Sequence, residues 1–159
     1  MKILPQKEFS ELYSNQSGSD PRLVAGFINK YTFEATVPVK ATTSVKLHEL
    51  GHEKLEHLPN SFKYFGKGKK DIQKVYESFT KCVDDEIEAE IYSFKVRGKK
   101  LTPMVGIKAL NRLIAEDWPL SRALSLVKGR LGKYGIKTTL KDEERIISLS
   151  KRAWRDEDL

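Results

Sequence analysis

The sequence predicts an α+β fold that is predominantly helical, with a small β-sheet in its N-terminal part and a helical segment at its C-terminal end. From residue 71 onwards, apolar residues recur three or four positions apart, which places them on one face of successive helices. Residues 31–37 are rich in β-forming side chains that alternate with polar ones, which is the period of a strand. The length of 159 residues suits one domain, or one domain with a small appendage.

The composition argues against a membrane protein. The sequence has no run of about 18 apolar residues, and residues 1–7 lack the apolar stretch of a signal segment. The single cysteine, Cys82, has no partner for an internal disulfide, so we expect a cytoplasmic protein. The net charge of +7 fits contact with nucleic acid or an acidic protein, although basic surfaces are common without such a role.

The N-terminal elements follow from local patterns. Helical spacing of apolar residues predicts a short helix over 6–14, and the composition of 15–21 predicts a loop. Asp20-Pro21 suits a helix start, so a second helix is expected over 22–30. The strand over 31–37 would be ended by Pro38, or placed by it at a sheet edge.

Residues 48–52 read His-Glu-Leu-Gly-His and carry the strongest functional signal. On a helix, His48 and His52 lie on one face, one turn apart, and can offer two imidazole nitrogens to one metal ion. Glu49 points about 100° away, a direction suited to taking a proton from water that the metal activates. This pattern is typical of a zinc hydrolase, and it predicts Zn²⁺ with Glu49 as general base. The competing interpretation is an amphipathic helix whose histidines lie near the core by chance.

The rest of the chain is expected to be helical. Hydroxyl side chains in 41–44 would cap the motif helix, which should end before Pro59. A basic loop is expected over 62–70, and a long helix over 71–96 that Gly98 closes. Further helices are predicted over 104–116, 120–131 and 142–155; the glycines that could end the second of these are Gly129, Gly132 and Gly135.

A catalytic zinc usually takes three protein ligands. The remaining histidine, His57, is nine residues from His48, or about 900° along a continuous helix, which is the opposite face. It could approach the metal only if the chain turned sharply before Pro59. We therefore expect His57 to be a surface or helix-end residue, with a ligand role as the alternative.

The acidic stretch 84–92 is the better source of a third ligand, because two histidines and a glutamate form a known catalytic zinc set. The apolar stripe of its helix places Glu86 and Glu90 on one side and Glu88 on the other. Periodicity alone does not separate Glu86 from Glu90. A solvated acidic face is the simpler interpretation of such a stretch.

The two motifs together resemble the ImmA/IrrE family of zinc peptidases. That family pairs an H-E-L-G-H helix with a later helix of the form E-x-x-A-(N/D/E)-x-(F/Y), which residues 86–92 match. The resemblance covers about residues 40–135 and implies that Glu86 is a zinc ligand. It also implies a zincin-like metallopeptidase core over 1–100, with 101–159 as a helical segment packed on it or part of the same domain. Position 90 is Glu where the family more commonly has Asn, Glu53 and Lys54 stand where the family is usually apolar, and the N-terminal part is short.

The resemblance further implies a zinc-dependent metalloendopeptidase that cleaves a regulatory protein, such as a DNA-bound transcriptional repressor. The strand near 33–37 would line the cleft and pair with an extended substrate. The tetrahedral intermediate needs a further hydrogen-bond donor. The candidates are Tyr92, Tyr64 and His57, and the sequence does not choose among them.

The alternative is a nucleic-acid-binding regulatory module with a structural or vestigial metal site. Basic residues in 63–70, 97–100 and 128–133 would contact phosphates, and helices 104–116 and 120–131 could form a helix-turn-helix. Weak nucleic-acid contact through this basic surface is also compatible with a peptidase.

Overall fold

The computed structural model describes residues 1–17, 26–28, 32, 34–57 and 69–157. Contacts divide the chain into two units, Met1–Pro59 and Asn60–Leu159. The described part of the chain is mostly helical with a small sheet, which confirms the α+β, predominantly helical class. Among these residues no helix is both long enough and apolar enough to cross a bilayer.

The described part of the first unit combines a small sheet with two helices. Its described elements are β1 (Lys2–Leu4), α1 (Gln6–Ser17), β2 (Phe27–Ile28), β3 (Ala35–Pro38) and α2 (Thr43–Lys54). Within the described residues the strand order is β1-β3-β2, with β1 parallel and β2 antiparallel to β3. Both α1 and α2 contact β3, whose four residues are all buried.

Two predictions at the start of this unit are wrong. Residues 15–17 continue α1 instead of beginning a loop. Phe27 and Ile28 form β2, although a helix was predicted over 22–30; residues 22–25 and 29–30 of that prediction lie outside the described part. Phe27 pairs with Thr36, and Ile28 pairs with Ala35. Pairing with a strand distant in sequence therefore overrides the local helical spacing at these residues.

The predicted strand over 31–37 exists in a shorter described form, β3, which begins at Ala35 and ends at Pro38. The prediction that Pro38 ends the strand is confirmed, whereas the alternative edge position is wrong, because β3 is the central strand of the described sheet. Pro38 belongs to the strand and pairs with Leu4 of β1. It lies two residues beyond Thr36, the last residue with a described partner in β2, where the sheet does not require its missing N–H.

The second unit is helical throughout its described elements. These are α3 (Lys69–Val96), a 3₁₀ turn (Pro103–Gly106), α4 (Ile107–Ala115), α5 (Leu120–Lys133) and α6 (Leu140–Glu157). Each predicted helix of this region is confirmed, apart from the 3₁₀ form of the turn before α4. The predicted basic loop over 62–70 lies outside the described residues up to residue 68, and Lys69 and Lys70 are helical.

One apolar core joins the helices of the second unit. The buried side chains of α3 pack with those of α4 and α5, as the apolar periodicity predicts. These core residues include Phe79, Val83, Ile87, Leu110, Leu113, Val127 and Leu131. The contacts thus group α3 with the C-terminal helices. The division into a peptidase core over 1–100 and a helical segment over 101–159 stays a prediction.

Candidate metal centre

The helix that carries the motif begins at a defined cap. Thr42 is the N-cap of α2, and its side-chain oxygen accepts a hydrogen bond from the backbone N–H of Val45 at 3.2 Å. Such a cap contributes about 1 kcal/mol to helix stability. The structure therefore confirms the capping role predicted for residues 41–44, and the start of α2 ahead of His48 is set locally.

The two motif histidines face each other on α2. His48 Nε2 and His52 Nε2 lie 3.1 Å apart, and both side chains are buried, with 3% and 8% exposure. Zinc–nitrogen bonds of about 2.0–2.1 Å in a tetrahedral site would hold two such nitrogens about 3.3 Å apart. The geometry of this pair therefore fits two ligands of one zinc ion.

The side chain of Glu49 lies against Gly26, the residue immediately before β2. A Cβ atom placed on Gly26 would be 2.6 Å from Glu49 Cγ and 3.0 Å from Val37 Cγ1. Only a residue without a side chain lets the carboxylate stem approach the backbone this closely. Sequence reasoning missed Gly26, because it lies inside the segment that was predicted as a helix.

The chain turns sharply just after α2. Glu56 has a left-handed backbone with φ of 55°, and its N–H donates to Glu53 O at 3.2 Å. The N–H of His57 donates to His52 O at 2.9 Å, which completes a Schellman motif. His57 therefore returns towards α2 instead of continuing to the opposite face.

This turn brings a third histidine to the pair. His57 Nδ1 lies 3.0 Å from His52 Nδ1, and the side chain of His57 is 9% exposed. The predicted position at the helix end is confirmed, but the predicted exposure on the surface is wrong. The physical reason is the left-handed residue at Glu56, which a continuous-helix projection does not include.

Glu53 ties α2 to the sheet. Its Oε2 accepts a hydrogen bond from the backbone N–H of Ala35 at 2.9 Å and lies 3.0 Å from the amino group of Met1. Partial burial acts to raise the pKa of Glu53, but the Ala35 N–H and the Met1 ammonium outweigh it and lower the pKa below its ordinary value. A charged residue next to His52, unusual for the family that the motif resembles, thus has a structural role here.

The acidic part of α3 belongs to the second unit. Glu90 is buried, and its Oε1 lies 3.0 Å from the ammonium of Lys108 on α4. Glu86 and Glu88 are half-buried on the same helix. The ion pair with Lys108 gives Glu90 a role inside its own unit and makes it the weaker candidate for a metal ligand.

Two further carboxylates of this stretch form ion pairs with basic side chains. Arg130 on α5 donates to both oxygens of Asp84, each at 2.8 Å, and Lys81 Nζ lies 2.8 Å from Asp85 Oδ2. Bidentate arginine–carboxylate pairs combine strength with fixed geometry. The Arg130–Asp84 pair joins α5 to α3, the Lys81–Asp85 pair lies within α3, and both contacts disfavour these aspartates as ligands.

Histidine and carboxylate groups that could hold a metal ion are present in the described residues, and the chemistry of the donors leaves the identity of the metal open. No protein-family model, no curated protein and no solved structure matches this chain. The ImmA/IrrE resemblance of the two motifs therefore stays a prediction.

The described basic residues give limited support to the nucleic-acid alternative. In the cluster 128–133, Lys128 pairs with Glu143 at 2.8 Å, and Arg130 is held by Asp84. These contacts neutralise two cations that would otherwise contact phosphates.

Of the possible donors to a tetrahedral intermediate, Tyr92 is half-buried on α3, and Tyr64 lies outside the described residues.

Proposed function

We propose that this chain is a zinc-dependent metalloendopeptidase. His48, His52 and Glu86 would hold Zn²⁺, and Glu49 would act as general base and then as general acid. The observation that carries the proposal is the 3.1 Å separation of two buried Nε2 atoms on the helix that also carries Glu49. Zinc bound there would supply the Lewis acidity that makes water a usable nucleophile near neutral pH.

The burial of the histidine pair supports a metal ligand role. A neutral imidazole has one nitrogen that donates and one that accepts, and it binds a metal through the accepting nitrogen. Because both rings are buried, water competes weakly for these nitrogens, and one metal ion would bind those of His48 and His52 together. The competing explanation is a direct N–H···N bond between the two rings, which predicts no stoichiometric metal.

The proposal takes Glu86 as the third ligand on chemical grounds and by resemblance. Two histidines and a glutamate form a catalytic zinc set that leaves one position for substrate or water. Glu86 occupies the first position of the E-x-x-A motif, where the resembled family has its ligand. The ion pair between Glu90 and Lys108 supports this choice over Glu90.

Glu49 would move the proton. Its carboxylate takes a proton from the attacking water as the oxygen bonds to the peptide carbon, and gives that proton to the departing amine as the C–N bond breaks. The stem of Glu49 packs closely against the backbone of Gly26, the residue immediately before β2. A fixed base of this kind contributes about 10²–10⁴-fold to the rate.

The substrate is proposed to be an extended peptide, with a DNA-bound repressor in the cytoplasm as the kind of target that the resemblance implies. The predicted pairing with residues 33–37 is unfavourable, because β3 has β1 on one side and β2 on the other in the described sheet. β2 is an edge strand of that sheet, and Gly26 at its start lies against Glu49. A substrate strand would therefore add to β2.

The test measures metal and cleavage in one set of variants. We expect one zinc ion per purified wild-type chain, and cleavage of members of a fluorogenic peptide library that a chelator abolishes. H48A and E86Q should lose zinc. E49Q should keep zinc and lose cleavage by at least about 100-fold.

E90Q is the matched control, because it changes a carboxylate on the same helix as Glu86. It should keep both zinc and cleavage. A wild-type chain that binds no zinc, or an E49Q variant as active as wild type, would rule out the peptidase. Full zinc binding by E86Q would rule out Glu86 as a ligand.

A further inference from the structure

We propose that His57 is a positioning residue for His52: it accepts a hydrogen bond from His52 Nδ1–H and thereby directs the lone pair of His52 Nε2 towards the metal position. This inference rests on the proposed zinc site and deepens it. The two ring nitrogens of His52 have different neighbours, His48 Nε2 at 3.1 Å and His57 Nδ1 at 3.0 Å. One ring thus connects the other two.

The argument follows from the proton count of imidazole. A neutral ring carries one N–H, and a ring that binds a metal through Nε2 must carry its proton on Nδ1. That Nδ1–H then needs an acceptor, and a metal-bound histidine usually finds one in a carboxylate, a carbonyl or water. Here Nδ1 of His57 lies at hydrogen-bond distance and can be that acceptor. His57 would then carry its own proton on Nε2.

The backbone holds His57 in this place. The N–H of His57 donates to the carbonyl of His52, so the two residues are joined by their main chains as well as by their rings. The left-handed Glu56 makes this return possible. Because His57 is 9% exposed, water competes weakly for the nitrogen of His52, and the hydrogen bond is stronger than it would be at the surface.

The first test compares two replacements of His57 in the full chain, by zinc affinity at one fixed pH against a competing chelator. H57L removes the acceptor, and we expect about 10–100-fold weaker zinc binding. H57N offers an amide oxygen close to the position of Nδ1 and should bind within a few-fold of wild type. E56Q is the matched control, since it changes the adjacent turn residue and leaves His57 in place.

The second test needs no metal. Nitrogen NMR of the metal-free protein reports which ring nitrogen of His52 carries the proton. We expect the Nδ1–H form in wild type and H57N, and a shift towards the Nε2–H form in H57L. If His57 only filled space, H57L would not change the tautomer equilibrium of His52, and H57N would not restore it.

The outcomes separate this inference from the proposed function. A wild-type chain without zinc affinity rejects the peptidase, while the NMR comparison still decides the role of His57. Wild-type zinc affinity and an unchanged His52 tautomer in H57L overturn the positioning role. A loss of zinc in H57L as complete as in H48A also overturns it, because His57 would then be a ligand. If H57L does not fold, H57Q moves the acceptor by one bond, and it should weaken zinc binding relative to H57N; equal binding by the two overturns the inference.

Discussion

The carboxylate stem of Glu49 lies directly against the backbone of Gly26, so closely that a single methyl group on Gly26 would lie 2.6 Å from Glu49 Cγ. The proposed general base is therefore positioned by Gly26, a residue that lies far before it in the sequence and contributes no side chain. Cγ1 of Val37 on β3 lies 3.0 Å from the same methyl position. The backbone immediately before β2 thus limits where this side chain of α2 can lie.

G26A should displace Glu49 while leaving the histidine ligands in place. A shift of about 1 Å in a catalytic group can cost about 100-fold in rate. We therefore expect kcat to fall by about 100-fold with zinc content unchanged, measured by peptide cleavage and metal analysis on the same sample. G129A is the control, because a methyl group on Gly129 meets nothing within 4 Å. A G26A variant with normal kcat would show that Glu49 accommodates the methyl group without moving its carboxylate.

E56G should stabilise the protein. Glu56 has a φ of 55°, a left-handed conformation that costs a residue with a Cβ atom about 1–2 kcal/mol. Glycine avoids most of this cost but loses more entropy on folding, so the net gain is expected to be about 0.5–1 kcal/mol. Urea unfolding measures it. E56A keeps the Cβ atom and removes the carboxylate, and E56G should be more stable than E56A; equal midpoints would contradict the prediction.

Cys82 should not react with thiol reagents in the folded protein. Its side chain is 3% exposed, and burial raises the pKa of the thiol to about 12, with the negative charge of Glu86 acting in the same direction. A thiol of ordinary pKa is about a quarter thiolate at pH 8, so the folded chain should react at least about 1,000-fold more slowly than the denatured chain. The absorbance change with an aromatic disulfide reagent follows both rates. Rapid labelling of the folded protein at pH 8 would contradict this.

The start of α6 should contribute stability that depends on pH. The N–H of Thr139 donates to Asp142 Oδ2 at 2.9 Å and lowers the pKa of Asp142, and the Thr139 hydroxyl donates to the same oxygen. A lowered pKa means that the stabilisation is present above the unfolded pKa near 3.9 and is lost as pH falls through the folded pKa. D142A should therefore be less stable than wild type at neutral pH, and the difference should shrink below about pH 4. A difference that stays constant from pH 7 to pH 3 would exclude this role.

The sequence alone predicted the features that depend on neighbouring residues. The spacing of His48 and His52 places their rings together on any helix, and the hydroxyl of Thr42 caps that helix where the sequence predicts. The long apolar periodicity predicted α3 and its buried face. These features depend on interactions within one or two helical turns, which the order of the residues fixes.

Only the tertiary structure decided the features that depend on distant partners. Phe27 and Ile28 form a strand because β3 supplies their hydrogen bonds, although their local spacing also suits a helix. Gly26 matters because Glu49 packs against it. His57 reaches His52 because Glu56 adopts a left-handed backbone, a conformation that glutamate rarely adopts and no local pattern predicts. In the first two cases the free energy comes from contacts between residues distant in sequence, so the local pattern carries no trace of them. The turn at Glu56 is local, but the sequence offers no glycine there to indicate it.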